Sequence, residues 1–165
     1  MPSNLEKALG FNLEAFNYLY VLCDYETLLK KNITLENFLE ILKKYDVKLL
    51  QYRDKVSDLE LQKQNLIFLK QNLNIPIIVN DKVELIAYAD GLHVGQDDVL
   101  KIDKDKKLAI KLLRKIVKNK LLGLSTHNEL EILEANSFEL DMIGLGAYKA
   151  TNTKDISNIL GEKLQ

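Results

Sequence analysis

Six short apolar runs recur along this chain, and between them lie segments whose apolar residues return with a helical period. The runs are "LYVLCD" (19–24), "VKLLQY" (47–52), "IPIIV" (75–79), residues 91–95, "LLGLS" (121–125) and "DMIGLG" (141–146). Their length and their β-branched and leucine content read as buried strands. Thr34 is placed to cap the first intervening helix, in which Phe38, Leu39, Ile41, Leu42 and Tyr45 recur with a helical period. Ser57-x-x-Glu60 has the form of a capping box for a helix running to about Asn72. Further helices are expected near 82–88, 105–118, 128–136 and 155–163. Strands alternating with helices imply a parallel sheet covered by helices, so the fold class is α/β. No Gly/Ser linker or charge block interrupts the series, and one domain over 1–165 is expected. Two architectures satisfy the pattern, a doubly wound open sheet and a TIM-type (β/α) barrel. The barrel takes eight units and typically about 250 residues, and only six units are present here.

The 165 residues allow one well-buried core. With 47% hydrophobic and 28% charged residues, the composition is that of a globular rather than a disordered chain. Lys+Arg total 23 against 24 for Asp+Glu, so no positive field draws in nucleic acid or a membrane surface. No apolar stretch approaches the roughly 20 residues that span a bilayer. The N-terminus shows no basic region followed by an apolar segment, so no secretory leader is expected. The lone cysteine, Cys23, can form no internal disulfide, and a cytoplasmic location is the simplest expectation.

The unusual polar residues fall just past the C-terminal ends of the expected strands. Gln51, Arg53 and Lys55 share parity with Leu49 and can face one side while the chain stays extended. Arg53 is one of only two arginines; its planar fork suits a phosphate, and an ordinary strand-end ion pair would use it equally well. Asn80 and Asp81 follow the third strand, Asp97 and Asp98 the fourth. Neighbouring strands lie about 4.8 Å apart, so these acids can converge on one hard cation, with water and phosphate completing its shell. Turn and capping chemistry is the plainer account of any single one of them. Ser125-Thr126-His127 follows the fifth strand, but no G-x-S-x-G elbow accompanies it, and helix capping explains Ser125 and Thr126 as simply. His93, inside the fourth strand, reads as a hydrogen-bonded core histidine. Thr151-Asn152-Thr153-Lys154 offers hydroxyls and an ammonium beside Gly144-x-Gly146, a composition suited to an anion.

In this order and spacing, "LYVLCD", "LLQYRDK", "IPIIVNDKVELI", "ADGLHVGQDD", "LLGLSTH" and "DMIGLGAYKATNTK" resemble the thiamine phosphate synthase family over residues 19–154. The resemblance implies a TIM-type (β/α) barrel of which about six of eight units are present. It implies a Mg²⁺-dependent transferase that joins 4-amino-2-methyl-5-(diphosphooxymethyl)pyrimidine to thiazole phosphate, releasing diphosphate. Gln51, Arg53, Lys55, Asn80 and Lys154 are then assigned to the pyrimidine diphosphate, Ser125 to the pyrimidine substrate, and Thr151 and Thr153 to the thiazole phosphate. Asp81 and Asp98 are assigned to Mg²⁺; Arg53, Lys55, Lys154 and Ser125 form the catalytic set. The related thiazole tautomerases share the fold and the histidine after the fifth strand but usually lack the metal-binding acids. A non-catalytic barrel fragment that binds a phosphate ligand is the reading from a different class. The family's last two strands have no counterpart before Gln165. The expectation is therefore two unpaired sheet edges, with these residues either part of a longer ordered chain or associating, for example as a homo-oligomer.

Overall fold

The computed structural model describes residues 3–10 and 18–147. Six parallel strands pair in chain order into a single sheet: β1 (Leu19–Asp24), β2 (Val47–Arg53), β3 (Ile77–Asn80), β4 (Gly91–Val94), β5 (Leu121–Thr126) and β6 (Met142–Leu145). The connections carry α2 (Tyr25–Lys30) and α3 (Leu35–Lys44), α4 (Leu59–Asn72), a 3₁₀ helix (Val83–Tyr88), α5 (Gln96–Ile102) and α6 (Lys106–Val117), and α7 (Glu129–Ala135). A doubly wound sheet would reverse its strand order at a switch point. This one never does. Among the described residues it is the arrangement of a TIM-type barrel with six strands in chain order, β1 and β6 forming its two edges.

The alternation along each strand divides the interior in two. Leu50, Tyr52, Ile77, Val79, Leu92 and Leu124 point outward into the main core, where they meet Leu39, Leu66, Leu69, Ile110 and Leu113 of the helices. Leu49, Ile78 and Leu121 point inward and form a smaller core with Leu5. Leu5 belongs to a helix the sequence reading did not anticipate, α1 (Asn4–Leu9). Ser3 caps it in a reciprocal box with Glu6, Gly10 ends it at φ 75°, and Asn4 donates to Asp141 across 2.9 Å. Burying Leu5 among the inner leucines contributes about 1.5–3 kcal/mol, which a six-residue helix needs because it is too short to stand alone. The inner core is tightly filled: a Cβ on Gly91 would lie 2.5 Å from Ile78 Cδ1 and 2.7 Å from Leu121 Cβ.

The structure corrects several local readings. Asp58, not Ser57, caps α4, its Oδ1 accepting from Leu61 N at 2.8 Å. Asn128 caps α7, so neither Ser125 nor Thr126 serves that purpose. Asp97 and Asp98 sit in the first turn of α5, a helix the sequence reading did not expect there. Thr34 does cap α3, as expected. The helix expected at 155–163 lies outside the described residues. Among the described residues β1 pairs only with β2 and β6 only with β5, and Leu22 and Leu145 on these edges are 51% and 54% exposed.

Candidate active site

Parallel register brings the inward-facing residues into rows. Leu22 stands beside Gln51, Asp24 beside Arg53, Asn80 beside His93, His93 beside Gly123, and Ser125 beside Gly144. Toward the strand C-termini these rows change from apolar to polar and leave a cleft of about 320 Å³. Tyr20, Leu22, Gln51, Arg53, Asn80, His93, Ser125, Thr126, His127 and residues 144–147 line it. Four residues singled out in the sequence, Gln51, Arg53, Asn80 and Ser125, therefore meet in one cavity. The shared parity of Gln51 and Arg53 with Leu49 is what aims both inward.

Each of these side chains is held. Gln51, nearly buried, donates through Nε2 to Tyr20 Oη at 2.6 Å. Tyr20 keeps 39% of its surface exposed at the open edge. Burial nonetheless pushes its phenol up to about 12, the Gln51 hydrogen bond working against that and the Tyr18 charge adding to it. Arg53 donates from Nη1 to Asp24 Oδ1 at 3.3 Å, and Asp24 Oδ2 in turn accepts from Thr27 Oγ1 at 3.0 Å. A guanidinium has five N–H donors, so one bond to Asp24 fixes its plane and leaves donors for a further anion. His93 Nε2 lies 3.0 Å from Ser125 Oγ, and Thr126 Oγ1 donates to the Gly144 carbonyl at 3.2 Å. His127 Nδ1 lies 2.9 Å from Glu131 Oε2, which also accepts from the His127 N–H.

Behind Arg53, the buried Asp54 accepts from the N–H groups of Val56 and Ser57 and from the Tyr52 hydroxyl, which itself receives Asn65 Nδ2. Burial pulls the Asp54 carboxyl upward, but these donors outweigh it and hold the pKa below the ordinary aspartate value. They fix the turn that leads from β2 to Lys55. Just past the strand ends, Lys55 Nζ lies 3.4 Å from Asp81 Oδ2, and Lys101 Nζ 3.0 Å from Asp98 Oδ1. Partial burial raises the Asp98 pKa, yet the Lys101 hydrogen bond and charge, the Gly95 N–H and Lys55 together bring it below the ordinary value. The field of Asp81 reaches Lys101 as that of Lys55 reaches Asp98, so the two acids and two lysines form one neighbourhood. Asp81 has φ 60°, a left-handed conformation that Asp tolerates better than most residues, and its N–H donates to the His93 carbonyl at 2.9 Å. Thr151, Thr153 and Lys154 lie outside the described residues.

The family model described as thiamine monophosphate synthase matches residues 19–164. The chain belongs to that family. A thiamine-phosphate synthase of Chloroflexus aurantiacus is 37% identical over 110 residues, covering 64% of this chain and 47% of that protein. Thiamine-phosphate synthase 1 of Streptococcus pneumoniae strain R6 is 35% identical over 145 residues, 83% of this chain and 64% of the relative. The solved thiamine phosphate pyrophosphorylase of Pyrococcus furiosus superposes with a TM-score of 0.63 at 24% identity, over 86% of this chain and 65% of that one, which supports the fold. The chain thus spans about half to two thirds of the length of these proteins.

Sequence reasoning missed Tyr20, Asp24 and the part His93 plays in the cleft. The parity that aimed Gln51 and Arg53 inward also applies to Tyr20, Leu22 and Asp24 on β1, and to His93 with Gly91 on β4. Among the described residues no helix is long and apolar enough to cross a membrane.

Proposed function

We propose that this cleft binds the diphosphate of a pyrimidine methyl diphosphate and serves thiamine phosphate synthesis, a transferase reaction. The observation that carries the reading is the convergence of Gln51, Arg53, Asn80 and Ser125, residues the family resemblance assigns to that substrate, on one cavity at the strand C-termini. Barrel sites are built at that end because the βα loops project there. In the reaction the bond between the pyrimidine methyl carbon and the diphosphate oxygen breaks, its electron pair leaving with the diphosphate. The thiazole nitrogen lone pair then forms the new carbon–nitrogen bond, so no general base is required and positioning dominates.

The chain's own groups fit the charge that develops. Arg53, its plane set by Asp24, offers a fork to phosphate oxygens, and Lys55 and Lys154 supply ammonium charges without accepting a proton. Ser125 faces the pyrimidine; Thr151 and Thr153 are assigned to the thiazole phosphate. Asp81 and Asp98 are the residues that would hold Mg²⁺. Their donor set fits: Mg²⁺ commonly uses one or two carboxylates, with waters and substrate phosphate completing its shell. Bound there, the ion would neutralise charge on the departing diphosphate. Lys55 and Lys101 balance the two carboxylates in the structure described here.

Small-molecule substrates and a cytoplasmic location belong to the same reading, as does association through the exposed β1 and β6 edges. The descriptions of the relatives favour the synthase over the tautomerase and non-catalytic readings. The test is incubation with both substrates and Mg²⁺, following diphosphate release and thiamine phosphate. Mg²⁺-dependent diphosphate release that is lost in Arg53→Ala supports the proposal. Failure to release diphosphate, combined with failure to bind the pyrimidine diphosphate, overturns it.

A further inference from the structure

We propose that His93 is a positioning residue that turns the Ser125 hydroxyl into a hydrogen-bond acceptor facing the aminopyrimidine; this rests on the pyrimidine diphosphate reading above. His93 is 6% exposed, yet it lines the cleft, and its Nε2 lies 3.0 Å from Ser125 Oγ. Two neighbouring strands make room for its ring. A Cβ on Gly123 would lie 2.5 Å from His93 Nδ1, and one on Gly144 would lie 3.3 Å from Cε1. Any side chain at Gly123 would displace the imidazole from Ser125.

A filler for this space would be apolar, as Leu49, Ile78 and Leu121 are one level below. A polar ring at the boundary of that core carries a desolvation cost, which a hydrogen bond to a cleft residue offsets. The direction of that bond determines what Ser125 can do. A hydroxyl has one proton and two lone pairs. If neutral His93 accepts the Ser125 proton at Nε2, its own proton sits on Nδ1, and Oγ presents lone pairs to the cleft. The substrate's exocyclic amine is a donor. As the diphosphate departs, positive charge spreads from the methylene carbon through the ring onto that amine. An acceptor at the amine stabilises this charge, whereas a hydroxyl proton aimed at the ring would oppose it. His93 touches neither reacting atom in this scheme; it acts through Ser125.

The test is titration calorimetry of the full chain with the pyrimidine diphosphate and, separately, with inorganic diphosphate, both with Mg²⁺. The variants are His93→Ala, His93→Gln, Ser125→Ala and the His93→Ala/Ser125→Ala double. His93→Ala is expected to weaken the pyrimidine diphosphate roughly tenfold, the effect of about one hydrogen bond between neutral groups, and to leave inorganic diphosphate within about twofold. His93→Gln, which retains an acceptor, should recover part of the loss. In the Ser125→Ala background, removing His93 should cost nothing further. Equal weakening of both ligands, unchanged binding of the pyrimidine diphosphate, or additive losses in the double variant would each overturn the proposal. A wild-type chain that binds neither ligand would instead bring down the pyrimidine diphosphate reading on which it rests.

Discussion

Replacing Arg53 by lysine keeps the positive charge in the cleft and removes the fork. Its contribution to folding is small on the geometry: one hydrogen bond of 3.3 Å to Asp24, between side chains 15% and 17% exposed. Lysine can keep its charge beside Asp24, so the loss is that of one long hydrogen bond, about 1 kcal/mol. For a domain of this size that corresponds to a melting shift of roughly 2–4 °C. Binding is a different matter. Losing a bidentate grip on phosphate removes a charge-assisted hydrogen bond worth about 1.5–3 kcal/mol, or roughly 10- to 150-fold in Kd. Calorimetry with the pyrimidine diphosphate and a thermal melt, run on the same preparations, separate the two. The expected outcome for Arg53→Lys is a large loss of affinity with a melting temperature lowered by no more than a few degrees. A melting temperature that falls well beyond that range while Kd stays unchanged would show that Arg53 serves the Asp24 ion pair and not the ligand.

Asp81→Asn keeps a residue that accepts φ 60° while removing the carboxylate, so the fold should persist and the Mg²⁺-dependent part of diphosphate affinity should vanish. Equal Mg²⁺ dependence in wild type and variant would remove Asp81 from the metal site. Asp54 has a folded-state pKa below its unfolded value, so its stabilisation is complete above about pH 4 and is lost as pH falls through the folded value. Acid unfolding monitored by circular dichroism should therefore shift to higher pH in Asp54→Asn, and an unchanged acid midpoint would count against the turn network. Gly123→Ala places a methyl 2.5 Å from the His93 ring and should cost about 1–3 kcal/mol in urea unfolding; a neutral result would mean the ring has room to move. Cys23 is fully buried and its thiol is pushed up to about 12 by burial and by the charges of Asp24 and Asp54, so iodoacetamide should label it only after unfolding. Rapid labelling of the folded chain would contradict the packing of β1.

The strand pattern was legible because outward positions such as Leu50, Ile77, Val79 and Leu92 must all be apolar to meet the helices. β1 runs from Leu19 to Asp24 as read, and Thr34 caps α3 as read. The capping of α4 was misread by one residue for a local reason. Asp54 takes the Ser57 N–H and Gln62 takes its carbonyl, which commits Ser57 to the preceding turn and leaves the cap to Asp58. α1 was missed because its six residues carry little periodicity, and its place depends on Leu5 meeting leucines more than 40 residues away. Gln51, Arg53, Asn80 and Ser125 were legible as strand-end polar residues. The surroundings that orient them were not, because Tyr20 with Gln51, Asp24 with Arg53, and His93 with Ser125 are long-range pairs that register alone creates.

A crystal structure of the chain with the pyrimidine diphosphate and Mg²⁺ tests the central claim most directly. The account predicts diphosphate density between Arg53, Lys55 and Asn80, a metal held by Asp81 and Asp98, and the pyrimidine ring against Ser125. Ligand bound outside this cleft, or Asp81 and Asp98 still paired only with Lys55 and Lys101 at saturating ligand and Mg²⁺, would contradict it.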